Sequence, residues 1–235
     1  MNRRKVYTVA WDGHTLELGH HTRIMGILNV TPDSFSDGGK FYTTDAAVAH
    51  GLKLAEAGAD ILDIGGESTR PFSEPVSIDE EIRRVVPVIE QLAPKIAVPI
   101  SIDTTKAKVA QAAIAAGASI INDISSLQSD PEMVTLAAKS AVPVILMHMK
   151  GAPKNMQVSP TYDDVVAEIK RFLEDAIDQA QKNGISQERI IVDPGIGFGK
   201  TVDHNLQLIY HLNALQTLDV PILIGPSRKS FIQNI

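Results

Sequence analysis

Two runs rich in hydroxyl, carboxylate, arginine and glycine residues follow directly on apolar segments in the first third of the chain. The first run is residues 29–39 (NVTPDSFSDGG) after residues 24–28, and the second is residues 65–71 (GGESTRP) after residues 61–64. Loops need only to be soluble, and these two carry far more hydrogen-bonding groups than solubility requires. A parallel α/β protein places its site at the carboxyl ends of its strands, so the two runs predict two walls of one pocket.

Polar side chains also end several later apolar segments. Asp103, Asn122 and Asp193 each follow a run of isoleucine or valine. Asp and Asn are common in turns and at helix N-termini, and that simpler explanation suits Asp33, Asp37, Asp79 and Asp203. It suits the three strand-end residues less well. Carboxylates and amides that converge on one rim favour a planar heterocycle with an amide-and-amine edge, because carboxylates pair bidentately with N–H donors.

An alternation of apolar strands and helical patterns must position these residues. The predicted strands are Ile24–Val30, Ile61–Ile64, Pro99–Asp103, Ser119–Ile124, Val144–His148, Ile190–Asp193 and Ile222–Gly225. The predicted helices are Thr44–Ala57, Ile78–Leu92, Thr105–Ala116, Glu132–Lys139, Asp163–Asn183, Asp203–Leu215 and one that starts near Ser227. Strands that alternate with helices predict right-handed crossovers and a parallel sheet.

The favoured fold is a (β/α)₈ TIM barrel in a single domain that spans residues 1–235. Residues 1–22 form a hairpin ahead of it, because Val6–Ala10 and Thr15–Leu18 flank the turn signal at Asp12 and Gly13. The barrel starts at residue 23, and we expect the recorded chain to lack the last βα unit. A doubly wound open sheet is the alternative, although no Gly-x-Gly-x-x-Gly follows the first strand.

Composition limits the class of protein. The chain has 235 residues, 44% hydrophobic and 21% charged, which is typical of one globular domain. A net charge of -6 argues against a nucleic-acid partner, and no apolar stretch approaches the length of a membrane span. The absence of cysteine excludes disulfides, thiolate nucleophiles and cysteine-ligated zinc, and makes the cytoplasm the default location.

Histidines and the glycine-rich segment late in the chain favour simple explanations. His20, His21 and His50 suggest surface positions and no pair has metal-ligand spacing, so a metal should be of the oxygen-ligated kind. His148, between two methionines, suggests a satisfied core residue. Residues 195–200 (GIGFGK) lack the spacing of a phosphate loop and favour an ordinary loop.

Several segments together resemble the dihydropteroate synthase family, over nearly the whole chain. Residues 26–39 and 63–71 look like the two signature segments of that family. The later segments that resemble it are residues 101–104 (SIDT), 121–123 (IND), 146–149 (LMHM), 193–200 (DPGIGFGK) and 227–231 (SRKSF). The resemblance implies a transferase that joins (7,8-dihydropterin-6-yl)methyl diphosphate to 4-aminobenzoate with the help of Mg²⁺, releasing diphosphate.

The resemblance also implies a role for each matched residue. Arg70, Asp103 and Lys229 are the expected catalytic residues, and Asn29 is the expected ligand of Mg²⁺. The expected substrate-binding residues are Phe35, Thr69, Pro71, Asp103, Asn122, Met147, Asp193, Phe198, Ser227 and Lys229. We further expect a homodimer. The charged residues Glu80, Glu81, Arg83 and Arg84 indicate a solvated helix face or part of the dimer surface.

Two other functions stay open. A pterin-binding methyltransferase domain would share Asp103, Asn122 and Asp193 but should lack the segments 31–35 (TPDSF) and 68–71 (STRP), which are present. An inactive binding fragment is the second, and the expected lack of the last βα unit suggests it.

Overall fold

The computed structural model of the chain describes residues 5–31, 44–68, 74–151, 156–226, 229 and 232. The strands are β1 (Tyr7–Trp11), β2 (His14–Leu18), β3 (Met25–Asn29), β4 (Ile61–Gly65), β5 (Ile100–Asp103), β6 (Ile120–Asp123), β7 (Val144–Met147) and β8 (Ile190–Asp193). The α-helices are α1 (Thr44–Glu56), α2 (Ile78–Leu92), α3 (Ala107–Ala116), α4 (Pro131–Ser140), α5 (Val165–Lys182) and α6 (Val202–Tyr210). Two 3₁₀ helices span Gln187–Arg189 and Leu212–Leu218.

Strands β3 to β8 form one six-stranded parallel sheet in which each strand pairs with the next along the chain. A doubly wound sheet reverses its strand order at a switch point, and this sheet does not. The consecutive order is the winding of a (β/α)₈ barrel, and the prediction of that fold is confirmed.

Two predicted elements differ from the structure. The strand predicted at Ile222–Gly225 is reduced to a single parallel bridge between Ile222 and Val192. The Val192 N–H donates to the Pro221 carbonyl and the Leu223 N–H donates to the Val192 carbonyl, and within the described residues the ladder extends no further. The helix predicted to reach Leu215 ends at Tyr210 and continues as a 3₁₀ helix. The helix predicted to start near Ser227 lies largely outside the described residues.

The hairpin of β1 and β2 lies at the end of the barrel opposite the strand carboxyl ends. The strand β1 contacts the 3₁₀ helix Gln187–Arg189, which leads into the amino end of β8. Val9, Trp11 and Leu16 are buried, and the indole of Trp11 stacks on His14 with ring centroids 5.3 Å apart. Through these three side chains the hairpin is part of the hydrophobic core.

Alternation along the barrel strands separates the core from the site. In β4, Leu62 lies under the helices beside Gly26 of β3, while Asp63 points to the barrel interior. Leu62 and Ile64 are fully buried, and so are Ile102 and Ile121 of the neighbouring strands. On each strand the residues that face the helices are apolar and pack the sheet against them, while the alternate residues line the barrel interior. No helix in the described ranges is both long and apolar enough to span a membrane.

A buried ion-pair network joins α2 to the turn that leaves β4. Glu81 is 1% exposed and accepts a hydrogen bond from the Thr104 hydroxyl at 2.7 Å and one from the Lys106 ammonium at 2.5 Å. Lys106 also pairs with Glu67, and Arg84 donates to the carbonyl of Gly66 at 2.8 Å. The prediction that Glu81 belongs to a solvated face is wrong, because its carboxylate is the internal partner of Lys106.

Replacing Glu81 should destabilise the fold far more than replacing its neighbour. Glu81→Ala should lower the free energy of unfolding by about 2–3 kcal/mol, since it removes the buried partner of Lys106 and of the Thr104 hydroxyl. Glu80→Ala, which removes only the ion pairs with Arg83 and Arg84 near the surface, should cost less than about 1 kcal/mol. Urea titration of both variants checks this, and equal losses would contradict the network.

Candidate active site

The polar strand ends lie in one register across four neighbouring strands. Asn29 is paired with Gly65, Gly65 with Asp103, and Asp103 with Asn122. Parallel strands leave their carboxyl ends on the same rim, so these residues form a row around it. Further along the rim, Met147 of β7 is paired with Asp193 of β8.

One layer deeper, Asp63 lies directly below this row. The Asn122 amide Nδ2 donates a hydrogen bond of 3.1 Å to Asp63 Oδ2, and both side chains are buried. Asp63 Oδ1 and Ser101 Oγ are buried, and neither has a partner in hydrogen-bond geometry among the described residues, although the Ser101 hydroxyl is close enough to oppose the rise in the pKa of Asp63. Asp63 also follows an apolar run in the sequence, but it is not among the expected catalytic, metal-binding or substrate-binding residues. The feature that could have identified it is a carboxylate inside an apolar strand, paired with Ser101 of the next strand.

The carboxylate of Asp193 is held by the loop that follows it. Its Oδ1 accepts the backbone N–H of Gly195 at 2.7 Å, while Oδ2 makes no hydrogen bond within the described part of the chain. Burial raises the pKa of this carboxyl, and that N–H together with the charges of Lys229 and Lys200 opposes the rise. One oxygen is thus fixed by the backbone, and the other is left for a ligand.

Lys229 lies against the same loop. Its ammonium donates to the carbonyl of Ile196 and lies 4.2 Å from the centroid of the Phe198 ring. A Cβ on Gly197, whose φ is +81°, would lie 2.6 Å from Lys229 Cδ, so only glycine allows this approach. Burial lowers the pKa of Lys229 to about 8, and the charge of Asp193 opposes that fall.

The carboxyl groups of the interior strongly affect one another. Burial raises the pKa of Asp63 to about 6, and the charge of Asp193 adds to the rise. Burial also raises the pKa of Asp103 well above its usual range, with the charge of Asp63 as the next cause. Within the described residues, N–H donors satisfy only part of the acceptor capacity of these carboxyls. A flat ligand that offers several N–H groups would supply them.

Other sequence candidates lie at the rim or outside the described residues. Asn29 is exposed at the end of β3, and Met147 is buried on the inner face of β7. The structure thus brings Asp103, Asn122, Met147, Asp193, Phe198 and Lys229 to the same rim. Phe35, Thr69, Arg70, Pro71 and Ser227 lie outside the described residues.

A bound metal ion would take most of its ligands from water and from the enzyme's substrate. The amide oxygen of Asn29 is a hard donor of the kind that Mg²⁺ takes, and it stands at the mouth of the rim. Across the described ranges no group of three His, Cys, Asp or Glu residues could hold a metal. Mg²⁺ commonly uses one or two protein ligands with water and substrate phosphates, and a single asparagine fits that pattern.

Two neighbouring polar residues serve the fold. Asp123 accepts the Ser125 N–H at 2.7 Å and the Leu127 N–H at 3.1 Å, so its oxygens close the turn after β6. His148 is buried and meets Phe172 edge-on, with ring centroids 4.9 Å apart. The prediction of a core histidine is confirmed.

The fold and the site define a (β/α)₈ barrel protein whose strand carboxyl ends carry a row of buried hydrogen-bond acceptors. The sequence profile of the family "pterin binding enzyme" matches residues 25–235, and the chain belongs to that family.

Known relatives agree with this family. A dihydropteroate synthase of Synechocystis sp. is 47% identical over 95% of this chain and 78% of its own length. The structure of Xanthomonas albilineans dihydropteroate synthase with 4-aminobenzoic acid is 51% identical and matches with a TM-score of 0.91, over 98% of this chain and 81% of that one. The same enzyme with 7,8-dihydropteroate matches at 0.84 and 51% identity, over 94% and 78%.

The raised pKa of Asp63 predicts a pH-dependent stability. Between roughly pH 4 and pH 6 the unfolded chain releases this proton while the folded protein keeps it, so stability falls as the pH rises. Asp63→Asn keeps an oxygen for Asn122 and cannot ionise. At pH 7.5 it should therefore raise the free energy of unfolding by an amount on the order of 2 kcal/mol, and change it little at pH 4.

Urea titrations across this pH range measure the effect. The control is Asp175→Asn, an exposed carboxylate on α5, which should leave the pH dependence of the wild type unchanged. If Asp63→Asn keeps the same slope of stability against pH as the wild type, Asp63 ionises normally and the assignment fails.

Proposed function

We propose that this chain is an enzyme that condenses (7,8-dihydropterin-6-yl)methyl diphosphate with 4-aminobenzoate to give 7,8-dihydropteroate and diphosphate. The observation that carries the proposal is the set of buried acceptors on the inner face, in which Asp63, Asn122 and Asp193 meet beside Lys229. Membership of the pterin-binding family and the identity to dihydropteroate synthases support it.

The pterin ring fits the acceptors and donors of the interior. We expect the free Oδ2 of Asp193 and the amide of Asn122 to bind the ring N–H groups. The Lys229 ammonium would donate to the ring carbonyl. Met147 would pack on one face of the ring. Deep burial favours these contacts, because a carboxylate without a partner there lacks hydration.

Bond breaking at the methylene carbon creates charge on both sides. The C–O bond to diphosphate breaks with its electron pair on the leaving oxygen, and positive charge spreads into the electron-rich pterin. The positive charge that develops on the ring would lower the raised pKa of Asp103, and its carboxylate beside the ring would then stabilise that charge. We expect Thr69 and Arg70 to hold the diphosphate. Mg²⁺, when bound at Asn29 and the phosphates, would offset the negative charge of the leaving group.

The amine of 4-aminobenzoate attacks the same carbon and then loses one proton to solvent. An aromatic amine carries a free lone pair, so it needs little help from a general base. Phe198 lies under Lys229, which supports a place for the aminobenzoate ring beside the pterin. We expect Phe35, Pro71 and Ser227 to complete this subsite.

A homodimer in the cytoplasm is part of the same proposal. An apolar patch on α6 supports the homodimer: Leu206 and Ile209 are exposed, and Tyr210 exposes 83% of its surface. Contiguous apolar surface of this kind commonly marks a protein interface. Sedimentation velocity of the purified protein tests it, and a monomer at micromolar concentration would contradict it.

A coupled pyrophosphate-release assay tests the reaction. With the pterin diphosphate, 4-aminobenzoate and Mg²⁺ present, the chain should release pyrophosphate, and omitting either substrate should stop the release. Pterin binding without release would instead favour the inactive fragment, and an absence of both would remove the proposed function.

Asp193→Asn should weaken binding of the pterin diphosphate by about 1–3 kcal/mol. The new amide can still accept the Gly195 N–H with its oxygen, and its NH₂ group then replaces the acceptor that faces the ring N–H. Titration calorimetry measures the change.

The matched control is Asp123→Asn, whose carboxylate closes the turn after β6. It should lower the melting temperature and leave the affinity of the folded protein unchanged. Unaltered pterin affinity in Asp193→Asn would exclude that residue from the ring site.

A further inference from the structure

Lys200 is a buried lysine to which the proposed reaction gives no task. It ends the loop 195–200 and is only 3% exposed. Within the described ranges no carboxylate oxygen lies at ion-pair distance from its ammonium. Lysine is almost never fully buried unless its ammonium has partners, so the contacts of Lys200 indicate its role in the fold.

The ammonium meets three acceptors on two segments of the chain. It lies 3.0 Å from His148 Nδ1 and donates to the carbonyls of Phe198 at 2.9 Å and His148 at 3.4 Å. Burial lowers the pKa of His148 to about 3, so the ring is neutral and its Nδ1 can accept once the proton is on Nε2. Burial lowers the pKa of Lys200 to about 7, and the charge of Asp193 opposes that fall. In its protonated form the three N–H groups of Lys200 match the three acceptors, and the side chain joins the end of β7 to the loop after β8.

That loop also carries the contacts of Lys229. The carbonyl of Ile196 accepts from the Lys229 ammonium, and the ring of Phe198 lies beneath it. The loop is pressed against the same histidine, because a Cβ on Gly195 would lie 1.9 Å from the His148 carbonyl oxygen. The position of the Lys229 ammonium thus depends on a loop that Lys200 holds against His148.

We propose that Lys200 is a positioning residue for the condensation: its ammonium clasps the loop 195–199 to His148 and so holds Phe198 and Lys229 in place for the two substrates. The proposal rests on the proposed function. A merely structural lysine would stabilise the loop without altering the kinetics of the folded enzyme, and this difference can be measured.

The test compares three variants of the full chain. Lys200→Met keeps the length of the side chain and removes the donors, while Lys200→Arg keeps donors. Lys182→Met, an exposed lysine at the end of α5, is the matched control. In the pyrophosphate assay Lys200→Met should raise the KM of both substrates and lower kcat/KM by about 10- to 100-fold, because a displacement of about 1 Å is enough for such a loss. Lys200→Arg should recover part of it, and Lys182→Met should match the wild type.

A second measurement does not depend on turnover. Acetylation of Lys229 by an N-hydroxysuccinimide ester, followed by mass spectrometry, should be faster in Lys200→Met than in the wild type. Amide hydrogen exchange over residues 195–200 should be faster as well. If the wild type releases no pyrophosphate, the proposed function fails, and these two readouts still decide whether the clasp exists.

Contrary results are equally definite. A lower melting temperature with unchanged kcat/KM and unchanged labelling of Lys229 would make Lys200 structural only. If Lys200→Met does not fold, His148→Leu replaces it, since this change removes the Nδ1 acceptor and leaves the carbonyl. It should lower kcat/KM and speed the labelling of Lys229, and wild-type values for both would overturn the proposal.

Discussion

The parallel register of the barrel strands is the constraint on which the site depends. Because β3 to β6 pair in parallel and in chain order, Asn29, Gly65, Asp103 and Asn122 come to the same rim without any direct interaction among them being needed. The energy that holds this register comes from the opposite faces of the strands, where Leu62, Ile64 and their neighbours pack under the helices. Stability and recognition are thus divided between the two faces of one sheet.

The interior is electrostatically unfavourable before a ligand enters. Asp63, Asp103 and Asp193 all lose hydration. The charge of Asp193 raises the cost of ionising Asp63, and the charge of Asp63 raises the cost of ionising Asp103. The protein tolerates this arrangement because backbone N–H groups and nearby lysines offset part of the cost. A ligand with matching N–H groups would offset the rest of this ionisation cost, so ligand binding would itself stabilise the charged carboxylates. Such a site discriminates strongly against ligands that lack the donors.

Much of the fold and part of the site could be predicted from the sequence. The alternation of isoleucine and valine segments with helical patterns identified β3 to β8, and the polar residues after them identified Asp103, Asn122 and Asp193. The strand at Ile222–Gly225 was overestimated, because an apolar run does not show how far a ladder extends along the neighbouring strand.

Long-range contacts explain the other differences. Glu81 looked like one charge among several on a helix surface. Its burial depends on Thr104 and Lys106, more than twenty residues away in the chain, and no local pattern reports that contact. The same is true of Lys200, whose acceptor His148 belongs to another strand end. Asp63 could have been found from its place within an apolar strand, opposite Ser101.

The position of Trp11 has a practical consequence for spectroscopy. It is the one tryptophan in the sequence, and it is packed in the hairpin at the far end of the barrel from the strand carboxyl ends. Its intrinsic fluorescence will therefore follow detachment of the hairpin and global unfolding, and will respond little to an occupant of the rim. A tryptophan introduced near the rim would give the protein a second optical reporter. The two emissions together would distinguish a local change at the rim from global unfolding.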